Sequence, residues 1–201
     1  MTRLPRAWLV ALPALLFQFP GWAGRLQLGP ADLVRGEPWR WVTCHWTHWS
    51  PDHLAWDLGA FLLLAAVCES QGPRGRRALF TAVAASALFI PPVLWLASPA
   101  LNGYRGLSGI DSALFVMAAV LVGREESGGR RLLAVLAVAG FLAKAVYESA
   151  TGAALFAESA GSFVPAPLAH LTGGACGLFA AYNPPKLRKG GFDAQEARAD
   201  G

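Results

Sequence analysis

Residues 104–116 read YRGLSGIDSALFV, which sets one serine, Ser108, between two glycines at the mouth of an apolar run. Whether that run lies in water or in lipid decides the fold. The 201-residue chain is 54% hydrophobic, carries eight Trp and is only 15% charged, far from the make-up of an average soluble domain. Its charges gather in short clusters. The stretches between them approach the roughly 20 residues needed to cross a hydrocarbon core of about 30 Å. Composition therefore puts the chain in a bilayer.

Working outward from this run, six apolar segments can be drawn, at 7–24, 51–68, 79–101, 107–123, 132–151 and 163–182. Lipid admits no open sheet edge, and the runs lack the alternation of a barrel strand, so each is expected to be a helix. Pro91 and Pro92 are expected to kink the third. The connections, such as SQGPRGRR and GREESGGRR, carry turn chemistry and charge and are too short for a second domain. The expected architecture is an all-α, six-helix membrane domain over residues 1–185, followed by a polar, disordered cytoplasmic tail, 186–201.

Cations set the expected orientation, because Lys and Arg flanking membrane helices are retained in the cytoplasm. Twelve of the seventeen fall in one set of connections and at the termini; four, Arg25, Arg35, Arg40 and Arg105, fall in the other set, and Lys144 lies within a segment. Both termini are thus expected inside. The net charge of +4 follows from this topology and implies no nucleic-acid partner. The first segment, with its basic start and small residues at its end, also has the outline of a secretory signal. Its long uncharged run and Trp22 at the would-be cleavage site favour a retained helix. Cleavage would not invert the other five.

Three cysteines, Cys44, Cys68 and Cys176, form no metal spacing and are expected to be free thiols. His45, His48 and His53 in and after the Trp-rich loop lack a firm ligand spacing, so neither a metal nor a cofactor is expected. The loop tryptophans Trp39, Trp41, Trp46 and Trp49 are expected at the membrane interface.

On the expected topology, segments two, four and six all start on the outer side. Ser108 then lies about four residues and His170 about six residues into their helices, roughly 6 to 9 Å deep at 1.5 Å per residue. They can face one another. A lone serine at a small-residue interface is ordinary helix packing, but a histidine at matching depth can accept its proton and turn the hydroxyl into a nucleophile. Gly106 and Gly109 flank the serine, and Gly173 and Gly177 lie on the histidine's face of the sixth helix, a spacing that lets two backbones approach closely. His53 and Asp57 lie four apart on one face at the start of the second helix.

These residues carry a resemblance. GLSG in the fourth segment, AHLTGGACG in the sixth, HLAWD in the second and GEPWRWVTCHWTHWSPDHL in the first outer loop together resemble the rhomboid intramembrane serine proteases, in order and over nearly the whole chain. The resemblance implies a catalytic dyad of Ser108 and His170, and a loop with Trp39 and Arg40 at the outer membrane surface. The compact six-helix plan, with YRGLSGIDSALF and KAVYES, is similar to the bacterial rhombosortase branch. That branch implies an inner-membrane, multi-pass enzyme with its site facing the periplasm. Its partners would be membrane-anchored exported proteins bearing a C-terminal Gly-Gly sorting signal, a transmembrane helix and a basic tail.

Acyl transfer of this kind needs donors for an oxyanion, and the Ser108 N–H and the His53 imidazole are the candidates. Asp57 departs from the family pattern, which has Asn at that place. Either it is protonated and donates, or it accepts from His53 and orients it. Asp111, Lys144 and Glu148 are further charges at membrane depth, read either as a structural network between the fourth and fifth helices or as groups that recognise substrate. Two other readings stay open: an inactive relative that holds membrane clients, and a small transport or structural bundle.

Overall fold

The computed structural model describes residues 7–19, 21–29, 32, 35–98, 102–152 and 166–183. The tail 186–201, Arg3, Arg6 and the first residues expected for the sixth helix, 163–165, lie outside the described residues. Among the described residues the chain is all-helical: α1 (Trp8–Leu16), α2 (Ala23–Leu26), α3 (Arg40–Thr43), a 3-10 turn (Cys44–Trp46), α4 (Pro51–Ser70), α5 (Gly72–Ala97), α6 (Ser108–Glu125), α7 (Gly128–Thr151) and α8 (Pro167–Tyr182). The one extended pairing among them is an isolated bridge between Leu28 and Tyr104.

Three helices, α4, α5 and α7, are long and apolar enough to cross a membrane by length and composition. Of the others, α1, α2, α6 and α8 overlap expected segments but differ in extent, and α3 falls in the loop between the first two segments. The first expected segment yields the nine-residue α1, which contains Pro13 and stops at Leu16; at 1.5 Å per residue it rises only about 14 Å. Helix α5 starts at Gly72, ahead of the expected 79, because its basic first turns need not lie in hydrocarbon. It runs on through Pro91 and Pro92 to Ala97.

Local chemistry fixes the helix starts that matter. The Ser50 hydroxyl accepts the His53 N–H at 3.1 Å, Pro51 occupies the first turn and Asp52 follows. A side-chain cap, a proline pre-set for the helix and an acid at the positive end all favour initiation there. His53 is thereby held in the first turn of α4. At the C-terminal end of α7, Gly152 takes a left-handed φ of +70° and its N–H bonds the Glu148 carbonyl at 3.0 Å, a glycine stop that closes the last turn.

Helix α6 is the centre of the bundle. Ile110, Leu114 and Met117 on it are fully buried, and with Phe61, Leu79 and Leu107 they form the main core shared by α1, α4, α5, α6 and α8. A smaller cluster of Leu28, Cys44, Ile90, Leu94, Tyr104 and Ala169 lies beneath the loops. By contrast α7 buries only Ala145 and Glu148 and leaves Leu132, Leu133, Val135, Leu136, Leu142 and Val146 exposed. Such a surface suits lipid.

The closest helix contact is between α6 and α8. A Cβ at Gly173 would lie 1.9 Å from the Gly109 carbonyl oxygen, and one at Gly177 would lie 2.0 Å from that of Ala113. Two residues four apart on each helix therefore meet backbone to backbone, as small residues allow between membrane helices. Ala113 is the partner that sequence inspection passed over.

Candidate active site

Ser108 is the first residue of α6, nearer its helix start than expected, and His170 is the fourth of α8. The glycine contacts bring these two starts side by side, and His170 Nε2 lies 3.3 Å from Ser108 Oγ. Both residues are partly exposed, so the pair can be reached from outside the bundle. At this separation the hydroxyl can donate to the imidazole, the geometry a base needs to take its proton.

The segment leading to Ser108 is clamped. Gly106 has a φ of +124°, and a Cβ there would lie 2.9 Å from Asp57 Oδ2 and 3.0 Å from His53 Cε1, so only glycine fits. Its N–H donates to the Cys44 carbonyl at 3.1 Å. The Tyr104 hydroxyl donates to the Gly106 carbonyl at 3.3 Å, and burial pushes that phenol well above its ordinary pKa, keeping it a donor. Leu28 and Tyr104 exchange backbone hydrogen bonds of 3.2 and 2.9 Å. Tyr104 was not among the expected site residues; only its contacts across the fold reveal what it does.

Asp57 is an acceptor in this arrangement. Its Oδ2 lies 3.2 Å from the Ser108 N, from His53 Nε2 and from His48 Nε2. The far nitrogens assign both rings: the Trp49 N–H donates to His53 Nδ1 at 3.4 Å, and the Gln18 amide is 3.1 Å from His48 Nδ1. Each imidazole then carries its proton on Nε2, the side that faces Asp57, though the His48 Nε2 contact at 3.2 Å lacks the alignment of a hydrogen bond. The two groups expected to receive an oxyanion, the Ser108 N–H and His53, thus converge with His48 on one carboxylate oxygen. His48 and Gln18 were missed, His48 because it was weighed only as a metal ligand and Gln18 because it is thirty residues away in sequence.

The remaining charges separate. Lys144 Nζ and Glu148 Oε1 pair at 2.7 Å on α7, one turn apart, while Glu148 Oε2 faces His170 Nδ1 at 3.4 Å. Asp111 does not join them: it is buried on α6, and neither of its oxygens has a hydrogen-bond partner among the described residues. Of the three charges expected together, Lys144 and Glu148 pair, and Asp111 makes no ion pair with either among the described residues. The first turn of α6 is nonetheless the favourable end for an acid.

The loop before α4 is built around Arg40. Its guanidinium donates to the carbonyls of Gly24 and Gln27 at 3.1 and 3.2 Å and pairs with Glu37 at 2.9 Å and Asp32 at 3.8 Å. Arg105 bonds Gln27 Oε1 at 2.8 Å and the His48 carbonyl at 3.3 Å, with its guanidinium 4.2 Å over the Trp49 ring. Of the four loop tryptophans only Trp39 is exposed. Trp46 turns inward to donate to the Val10 carbonyl at 2.6 Å, and Trp41 packs on the smaller core cluster. His45 is fully buried with its ring edge-on to Tyr104 and Trp46; burial pushes its pKa down to about 4, although a contact with the Ala87 backbone opposes the shift. The three cysteines are free and buried.

Comparison with curated proteins gives no match. Comparison with protein families matches the rhomboid domain over residues 35–183, a span that takes in the Arg40 loop, α4 to α8, and both Ser108 and His170. With more than half of its length matched, this multi-pass membrane protein belongs to the rhomboid family, whose members are intramembrane serine proteases that act on membrane proteins within the bilayer.

Proposed function

We propose that the chain is an intramembrane serine endopeptidase in which Ser108 is the nucleophile and His170 its base. The observation that carries this reading is the 3.3 Å separation of Ser108 Oγ and His170 Nε2 at adjoining helix starts. His170 takes the hydroxyl proton as Oγ attacks the scissile carbonyl carbon, then passes it to the departing amine as the C–N bond breaks. Water, activated by the same imidazole, releases the acyl group from Ser108. The carbonyl oxygen, gaining charge, is received beside the Ser108 N–H and the His53 imidazole, which Asp57 orients.

The substrates are membrane-anchored exported proteins with a C-terminal Gly-Gly sorting signal, transmembrane helix and basic tail, as in the rhombosortase branch. The chain lies in a bacterial inner membrane with both termini inside, and its site opens to the periplasmic side. The support is the similarity of YRGLSGIDSALF and KAVYES to that branch and the twelve-to-four division of cations.

Labelling with a fluorophosphonate tests the nucleophile. The purified protein takes up the probe and the Ser108→Ala variant does not; a folded wild-type preparation that never labels overturns the reading in favour of a non-catalytic client-holding protein. Comparing exported proteins from cells with active and Ser108→Ala enzyme tests the substrates. Their transmembrane tails persist in the variant, and unchanged masses and membrane attachment would reject the substrate assignment.

A further inference from the structure

The proposed dyad has a third partner supplied by another helix. Helix α7 turns almost its whole length outward, and the two side chains it buries are Ala145 and Glu148. Burying a carboxylate at membrane depth is costly and persists where the group has work to do. If Glu148 served only to pair with Lys144, an i,i+4 ion pair on the outer face of α7 would meet the need. Instead the Glu148 side chain is 2% exposed while Lys144 is 27% exposed, so the acid and not the base has been drawn into the bundle. Its two oxygens divide the labour, Oε1 bonding Lys144 Nζ at 2.7 Å and Oε2 lying 3.4 Å from His170 Nδ1, an ionic contact without hydrogen-bond alignment.

We propose that Glu148 is a positioning residue that completes a Ser108–His170–Glu148 relay, with Lys144 holding the carboxylate in place. This rests on the protease reading above. An imidazole that is to take the Ser108 proton must present a bare Nε2, so its own proton must sit on Nδ1. The carboxylate oxygen facing Nδ1 selects that tautomer and fixes the plane of the ring. Once His170 has received the serine proton, the ring is a cation with Nδ1–H still directed at Glu148, which stabilises it without taking the proton. Among the described residues, the other charged and titratable groups around this point are Lys144 on α7, Asp111 on α6 one turn past Ser108, and the Asp57 cluster on α4, joined to Ser108 through its N–H. Among the described residues Glu148 is the acid that faces Nδ1. The Gly152 cap holds the Glu148 carbonyl in the last turn of α7, which sets the height of the carboxylate against α8.

The test compares wild type, Glu148→Gln and Glu148→Asp in detergent, by cleavage kinetics and by the rate of fluorophosphonate labelling. Glu148→Gln removes the charge at constant shape and lowers both kcat and the labelling rate by about 100-fold or more, with KM changed by less than about twofold; Glu148→Asp recovers part of both rates. A Glu148→Gln protein that labels and cleaves at the wild-type rate overturns the relay and leaves the dyad standing, whereas a wild type that does not label at all defeats the protease reading itself. Nitrogen NMR of His170 in the wild type needs no variant: a proton on Nδ1 with Nε2 bare at neutral pH is the expected tautomer, and a proton on Nε2 overturns the proposal.

Discussion

The backbone N–H of Ser108 donates to Asp57 Oδ2 at 3.2 Å, so the residue proposed as nucleophile is tied through its main chain to the carboxylate that also gathers His48 and His53. Charge-assisted hydrogen bonds of this kind contribute about 1.5 to 3 kcal/mol each. Asp57→Asn keeps the shape but offers one neutral acceptor and turns an N–H₂ group among three donors. The variant is expected to lose about tenfold or more in cleavage rate, in line with about 1.5 kcal/mol for one such bond. Activity equal to or above wild type would instead mean that an amide donor is what the position needs.

Glycines 173 and 177 set the distance between the two helix starts, since a methyl group at either would strike the backbone of α6 at 1.9 or 2.0 Å. Gly173→Ala should cost about 3 kcal/mol or more of stability by overpacking and abolish fluorophosphonate labelling by moving His170 away from Ser108. Gly140→Ala is the control: nothing lies within 4 Å of a Cβ there, and stability should stay within about 1 kcal/mol of wild type. Thermal unfolding and labelling, measured together, distinguish the two positions.

His45 gives the fold an acid limit. Its ordinary pKa is 6.5 and burial pushes it down to about 4, so the folded state binds the ring in its neutral form. That stabilisation is complete above about 6.5 and is lost progressively as the pH falls toward 4, to an extent on the order of 3 kcal/mol. His45→Phe keeps an aromatic ring beside Tyr104 and Trp46 but has nothing to titrate. Thermal unfolding between pH 7.5 and 4.5 should therefore fall more steeply for wild type than for the variant, and equal slopes would contradict this origin.

Arg40 and Cys44 make a paired test of the loop. The thiol is fully buried and burial pushes its pKa upward, so Cys44 should resist maleimide at neutral pH until the protein is denatured. Arg40→Ala removes the bonds to the Gly24 and Gln27 carbonyls and the pairs with Glu37 and Asp32. Mass spectrometry of the native variant should then find Cys44 modified; continued protection would show that the loop holds without the guanidinium.

Helix periodicity and charge spacing announced a good deal of this arrangement. Ser108 and His170 were read at similar depth from the positions of their segments alone, and the glycines that let α6 meet α8 were visible because small-residue spacing is a local property of each helix. The Lys144 and Glu148 pair was equally local, at one turn's separation. What stayed hidden was every contact that depends on how the elements are rotated and joined. Tyr104 under the Gly106 turn, His48 and Gln18 behind Asp57, and the second oxygen of Glu148 against His170 are all long-range. Asp111 shares the depth of Lys144 and Glu148, yet it makes no ion pair with Lys144 among the described residues. The short α1 was overestimated for a related reason, since apolar composition runs on to Gly24 while the helix stops at Leu16.

Gln18 has a consequence for biosynthesis. Through its contact with His48, and through Trp46 on the Val10 carbonyl, the N-terminal stretch props the cluster behind the proposed nucleophile. A processed form trimmed after Gly24 would still carry Ser108 and His170, yet the His48 imidazole would lose the Gln18 amide behind it. Maturation by a signal peptidase would on this account damage the enzyme that export machinery had just delivered.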